Sequence, residues 1–314
     1  MAITLVESAN LSQNKLIKGV IQEVYHAEDF MKLLPFAEVE GNALAYNRED
    51  PDDMGSVGFK AVNGVWTEST ATVTACTASI YPLGEDADVD NLIGKTRSNI
   101  NPQMATQVRI KSKLMARKFM EQAVYGVAST SNGFDGMHTT IASSGSALRI
   151  TQAADATGAA MTCLSLDAAI DACEAGKPDC ILMSKQTLRN MARYLRTVGS
   201  FETTRDEYGN TWKVWGDNIP IATSDWLYNS ELCDGSGMFS AATTGATSSI
   251  FVIKFGDGDG LIGLQNGGIA TETWEKLETK DASRTRLKWY VGMALYSTKA
   301  LVRVGNITNV VWTA

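Results

Sequence analysis

Residues 36–84 read FAEVEGNALAYNRED (36–50), PDDMGSVGFKAVNGVWT (51–67) and ESTATVTACTASIYPLG (68–84). Val39, Leu44 and Tyr46 mark an outgoing limb; Val73, Thr74, Thr77, Ile80 and Tyr81 mark a returning one. These residue types favour strand, and the glycine-rich centre favours a turn. The stretch therefore reads as a strand–tip–strand excursion, Glu38 to Tyr81, standing between two helices. A two-stranded hairpin is marginal in water because it has almost no core of its own. Support has to come from outside the fold, most economically from another copy of the chain.

Before the excursion, Ser12 caps a predicted helix to Leu34, with Leu16, Val20, Val24, Ala27 and Met31 on one face and Pro35 ending it. Ala2 to Leu11 reads as a mobile or partner-bound arm. After the excursion, Asn101 and Pro102 open the longest predicted helix, which runs to about Ala128. Met104, Val108, Met115, Phe119 and Ala123 form its apolar stripe. Arg109, Lys113 and Arg117 form a basic stripe that ends against Glu121. A solvated face is the expectation for that stripe, with contact to a partner or a packaged polymer as the alternative.

Gly133 to Gly136 reads as a turn, and Ser143 to Met161 as a boundary. Ser165 is then expected to cap LDAAIDACEA, which Gly176 and Pro178 stop. CILM (180–183) is a short strand, and Ser184 caps KQTLRNMARYLRT. NTWKVW, IPIATSDW and the buried SSIFVIKF (248–255) complete a compact α/β block over roughly 146–261. Two long alternating segments flank a charged turn, Glu278 to Arg286, and a β-branched segment closes the chain.

At 314 residues the chain exceeds the ~250–300 that one core serves, so two domains or large excursions are expected. Charged residues are 20%, below the ~25% usual for soluble domains, as burial against partners would require. A net charge of −7 argues against a dedicated nucleic-acid binder, though an acidic wall can enclose nucleic acid without gripping it. Five cysteines without a C-x-x-C pair point to reduced thiols and a cytosolic origin. There is no secretory pattern at Met1–Asn10 and no apolar run of the ~18–20 residues a membrane span needs.

Several motifs fail on their context. Gly258-x-Gly260-x-x-Gly263 leads into LIGLQNGGIATETW, where a dinucleotide site needs a helix N-terminus. Asp257 and Asp259 hint at a calcium loop, yet Leu261 and Gly268 stand where oxygen ligands are required. Gly94-Lys95-Thr96 resembles the end of a phosphate-binding loop, but Val89 replaces its first glycine, so a simple loop is expected. His26 and His138, the two histidines, each read as surface or capping residues. No G-x-S-x-G or H-E-x-x-H occurs, and carboxylates are scattered, leaving a paired acid/base site open. The expectation is a non-enzyme, with no catalytic, cofactor-binding or metal residue.

The order of elements, together with GFDGMHTTI (133–141) and GLIGLQNGGIATETWEKLETKDASRTRLKWYVGMALYSTKALVRV (260–304), resembles tailed-bacteriophage major capsid proteins of the Hong Kong 97 type over nearly the whole chain. The resemblance implies an α+β fold with an N-terminal arm (1–37), an E-loop hairpin (38–84), a P-domain (85–145 and 262–295) and an α/β A-domain (146–261 and 296–314). Within the P-domain it implies a spine helix at about 101–128, a long-stranded sheet and a P-loop at about 278–286. It further implies self-assembly into hexamers and pentamers. These would form an icosahedral head shell, part of the virion and assembled in host cytoplasm, that encloses double-stranded DNA without sequence-specific binding.

Phe59, Lys60, Val65 and Trp66 would then be intersubunit E-loop contacts, Lys60 being that loop's only lysine. Glu278, Lys280, Asp281, Arg284 and Arg286 would meet at a threefold point, and Arg109, Lys113 and Arg117 would form the basic face of the spine helix. Members with a fused scaffold carry a long segment ahead of the arm, whereas here Met1 opens almost directly into it, which implies a separate scaffolding protein or none. A portal and decoration proteins are the other implied partners, with no membrane and no cofactor. An encapsulin-like nanocompartment shell is the alternative; a third reading, a hydrolase or carbohydrate-binding protein, would be monomeric or dimeric.

Overall fold

The computed structural model describes residues 29–49, 57–66, 68–70, 72–97, 103–142, 145–153, 157–199, 203–205, 211–216, 218–233, 239–241 and 245–313. The expected N-terminal arm to residue 28, with Ser12 and His26, and the Asn101–Pro102 cap lie outside them. The described end of the first helix is α1 (Asp29–Leu33), which closes with Leu34 N–H donating to Phe30 O at 2.9 Å, just before Pro35.

The excursion is a hairpin of β2 (Ala43–Glu49) and β3 (Val73–Ser79), antiparallel from Ala43↔Ser79 to Glu49↔Val73. Its base is better supported than the sequence suggests. Leu44, Tyr46, Ala78, Ile80 and Tyr296 pack on Val39, Ile262, Leu264 and Ala294 of the same chain. The Tyr46 hydroxyl donates to Leu295 O at 2.9 Å, and Arg48 donates to the carbonyls of Tyr296 (2.7 Å) and Leu295 (2.6 Å). Own-chain support thus holds the base, and the need for an outside partner narrows to the tip.

A five-stranded sheet carries that base. Its axis is β15 (Ala282–Leu295), 14 residues long. One edge of β15 pairs with β4 (Tyr81–Asp90) along Ala282–Val291. The other pairs in succession with β14 (Ala270–Trp274) and β13 (Leu261–Gln265), and β1 (Phe36–Glu38) adds to β13 in parallel. Leu287, Trp289 and Val291 of β15 are buried while Arg284, Arg286, Lys288 and Tyr290 face outward, the two-residue period of a one-sided strand. Across the buried face lies the long helix α3 (Gln103–Tyr125), inserting Met115, Phe119, Met120, Ala123 and Val124. The Phe119 ring meets Phe36, Phe134 and Trp289 at centroid distances of 5.8, 5.6 and 5.1 Å. Of the expected apolar stripe, Met115, Phe119 and Ala123 are core and Val108 packs at its margin.

The second sheet has seven strands in the order β5 (Arg149–Thr151), β16 (Leu301–Thr308), β12 (Thr247–Ile253), β6 (Cys180–Met183), β9 (Ile219–Thr223), β8 (Thr211–Trp215) and β7 (Thr203–Arg205). Every residue of β12 and β6 is buried, as their apolar runs require. The chain leaves this sheet after β12, builds β13–β15, and returns as β16 beside β12.

Three local expectations change. Thr162, not Ser165, caps the next helix: it has extended φ/ψ (−106°, 148°) and accepts the Ser165 N–H at 3.1 Å, which puts Ser165 inside the first turn. Gly94-Lys95-Thr96 lies in helix α2 (Asn91–Arg97) rather than a loop, because Asp90 Oδ1 accepts the Leu92 N–H at 2.8 Å and caps it. The charged turn ends at Asp281, so Arg284 and Arg286 belong to β15. Ser184 caps Lys185–Val198 as expected, with Gly199 at φ +80° closing that helix. Gly258-x-Gly260-x-x-Gly263 runs into β13, not into a helix.

Candidate functional site

Beyond Glu49 the hairpin exposes apolar side chains on both sides of a tight turn. The turn closes with Gly64 N–H donating to Ala61 O at 3.0 Å, and Asn63 takes the positive φ (67°) it needs. This brings Lys60 Nζ within 4.8 Å of the Trp66 ring centre, a cation–π contact. Phe59 is 113% exposed, Val65 91% and Trp66 70%; Val57 (85%) and Val62 (92%) join them and were not singled out in the sequence. A ten-residue stretch thus presents five large apolar groups to solvent. Patches of that kind mark interaction sites, and burying each such side chain is worth about 1.5–3 kcal/mol.

Lys280, Asp281, Arg284 and Arg286 are engaged within the chain. Arg284 holds Asp88 with two hydrogen bonds (2.6 and 2.8 Å) and reaches Asp86 at 3.1 Å. Arg286 holds Asp86 in the same forked way (2.6 and 2.9 Å) and lies 5.1 Å from the Trp274 ring centre. Lys280 Nζ sits 2.6 Å from Asp88, and Asp281 accepts from the Asn91 side chain at 2.6 Å. Glu278 stays exposed. The Arg284 hydrogen bond, then Lys280, holds the Asp88 carboxyl well below the usual range against the effect of burial, and Arg286 lowers Asp86.

Asp86 and Asp88 escaped sequence reading, although these two acids of EDADVD (85–90) face Arg286 and Arg284 of RTRLK (284–288) in register. Asp88→Asn should lower subunit stability by about 1.5–3 kcal/mol, read as a urea-midpoint shift near neutral pH. Because the folded carboxyl is depressed, that stabilisation is present above the ordinary 3.8 and fades as pH falls toward the folded value. The wild-type and variant midpoints should therefore converge in strong acid.

On α3, Arg109 and Lys113 are exposed, and the Arg117 guanidinium lies 5.4 Å from the Trp226 ring centre. Glu121, expected to end the stripe, is taken by Lys118 at 2.8 Å, and Lys111 pairs with Glu85. Beside the helix runs a cleft of about 410 Å³ lined by Leu83, Lys111, Leu114, Met115, Arg117 and Trp226. The acids beside the stripe, Glu85 and Glu121, are thus taken by Lys111 and Lys118, while the hairpin tip, the charged turn and the stripe occupy separate elements.

His138 overturns its expectation. It is 3% exposed, in α4 (Met137–Ala142), with Nε2 3.2 Å from Glu231 Oε1, because the helix packs its first turn into the core instead of presenting it. Among the described residues no three His, Cys, Asp or Glu side chains group to hold a metal ion, and no helix is long and apolar enough to cross a membrane.

No protein-family model and no curated protein matches the sequence. Solved structures do match. The encapsulin of the holo-SrpI complex from Synechococcus elongatus PCC 7942 superposes with a TM-score of 0.70 at 15% identity, covering 100% of this chain and 99% of that one. The capsid of the native GTA particle gives 0.59 at 14% identity with 94% of each chain covered. The capsid of cyanophage P-SCSP1u gives 0.56 at 12%, covering 94% and 93%. The chain has the Hong Kong 97-type capsid fold.

The Hong Kong 97-type match runs almost end to end, so the hairpin, α3 and both sheets fall within the shared architecture. At 12–15% identity it carries the fold and not the side chains. What the tip, turn and helix do must come from their own geometry.

Proposed function

We infer that the protein is a major capsid protein, assembling as hexamers and pentamers into an icosahedral head shell that encloses phage DNA. The observation that carries the reading is the hairpin tip: Val57, Phe59, Val62, Val65 and Trp66 stand exposed on an arm anchored at its base. A neighbouring copy supplies the missing surface, with Lys60 flanking the buried Trp66. An interface of ordinary size covers ~800 Å² per partner, and many such contacts per shell make closure cooperative. The net charge of −7 favours enclosing DNA over gripping it. In this reading the exposed Arg109 and Lys113 of α3 face a partner or the packaged polymer.

The turn after β14 has a narrower role in this reading. Lys280, Arg284 and Arg286 rigidify it from within, and the outward Glu278 sets register where several subunits meet. Glu278→Lys should leave the subunit's melting temperature unchanged but increase aberrant particles in electron micrographs. Normal particles would confine this turn to a solvated role.

A second reading, an encapsulin-like nanocompartment shell, is favoured by the higher TM-score of the encapsulin match, 0.70 against 0.59 and 0.56. Particle contents separate the two. Nuclease-protected double-stranded DNA, with portal and terminase genes beside this one, supports the phage head; a stoichiometric protein cargo in nucleic-acid-free particles supports the nanocompartment.

A further inference from the structure

The end of α3 and α4 form one clipped unit. Gly136 N–H donates to Gly126 O at 2.9 Å and the Thr139 hydroxyl to the same carbonyl at 2.6 Å. A Cβ on Gly126 would lie 2.4 Å from Gln122 O and 2.5 Å from Phe134 O, so only glycine lets these segments close. This unit meets the seven-stranded sheet through a carboxylate fully shielded from solvent. Glu231 accepts from the Tyr125 hydroxyl at 2.6 Å, faces His138 Nε2 at 3.2 Å and accepts from the Ser249 hydroxyl at 2.5 Å. Arg303, itself 2% exposed, donates to the Ser249 oxygen at 3.1 Å, and its guanidinium lies over Gly305, where a Cβ would come within 2.8 Å. Tyr125 stacks on His138 at 4.8 Å and on Tyr228 at 5.0 Å, and Phe251 meets the imidazole edge-on at 4.9 Å.

The charges facing His138 are Glu231, between β9 and β12, and Arg303 on β16, with the Tyr125 phenol from α3. With a neutral imidazole donating from Nε2, the carboxylate and the guanidinium balance. A proton on His138 would leave an unbalanced cation in a site buried from solvent. We propose that His138 is an acid-releasable latch: its protonation detaches α4 and the end of α3 from the seven-stranded sheet while both sheets stay folded. Burial, the largest influence, pushes the imidazole below its ordinary 6.5, although Glu231 pulls the other way. Burial pushes Glu231 up, but His138, Arg303 and Ser249 outweigh it and keep the carboxylate ionised. A depressed histidine binds fewer protons folded than unfolded, so the latch is fully closed above its ordinary value and weakens as pH falls below it. This property belongs to the subunit and holds whichever shell it builds.

Hydrogen exchange on the full-length protein tests it, at about pH 7.5 and about pH 5, corrected for intrinsic exchange rates. Amides of 125–142 should lose at least about tenfold in protection at the lower pH while those of 247–253 keep theirs. In His138→Gln, whose amide still donates to Glu231 but takes up no proton, that response should vanish. The chain's two histidines also allow a direct reading: with His26→Asn, the remaining imidazole resonance should titrate over the range in which protection falls, a measurement that needs no His138 variant. Unchanged protection of 125–142, simultaneous loss at 247–253, an equal response in His138→Gln, or an imidazole that stays neutral throughout would each overturn the latch.

Discussion

Phe59→Ser combined with Trp66→Ser is expected to abolish closed particles while leaving a folded subunit. The two side chains are 113% and 70% exposed in the isolated chain, so their loss removes no core contact and should shift the melting free energy by less than about 0.5 kcal/mol. In a shell each buried aromatic contributes about 1.5–3 kcal/mol, and the loss recurs at every copy. Cooperative closure turns that repeated deficit into failure of assembly. Sedimentation velocity and negative-stain microscopy read the outcome against thermal melts of the same samples. Normal shell yield with both serines in place would remove the tip from the assembly account.

Glu231→Ala should produce the largest loss of subunit stability, about 3–5 kcal/mol, because it strips the counter-charge from a buried Arg303 and leaves the Tyr125 and Ser249 hydroxyls without their acceptor. Removing one member of a buried charged set costs more than the set itself contributes, since the remaining ion keeps its desolvation penalty. Chemical unfolding near neutral pH measures it. A loss below about 1 kcal/mol would mean that water enters the site and that the cluster is not the joint described above.

The elements legible in the sequence carry their signals locally. SSIFVIKF reads as a buried strand and CILM as a short apolar one, Ser184 begins a helix that Gly199 closes, and the two limbs of the hairpin alternate as strands do. The tip aromatics were legible for the same reason, since no neighbouring sequence could cover Phe59 or Trp66. What escaped depends on pairing across long separations or on a choice between equivalent local signals. His138 meets Glu231 across 93 residues and Arg284 meets Asp88 across 196, so only the folded register creates either site. Thr162 and Ser165 both offer a hydroxyl, and the extended backbone at Thr162 decides the cap. The anchoring of Arg48 on the carbonyls of Leu295 and Tyr296 likewise depends on where β15 ends.

The decisive measurement is a cryo-electron microscopy reconstruction of the particles the purified protein forms when expressed alone. Closed shells are expected, in which residues 57–66 lie against a neighbouring subunit with Phe59 and Trp66 buried. A protein that stays monomeric or dimeric, with the tip folded back on its own sheets, would contradict it.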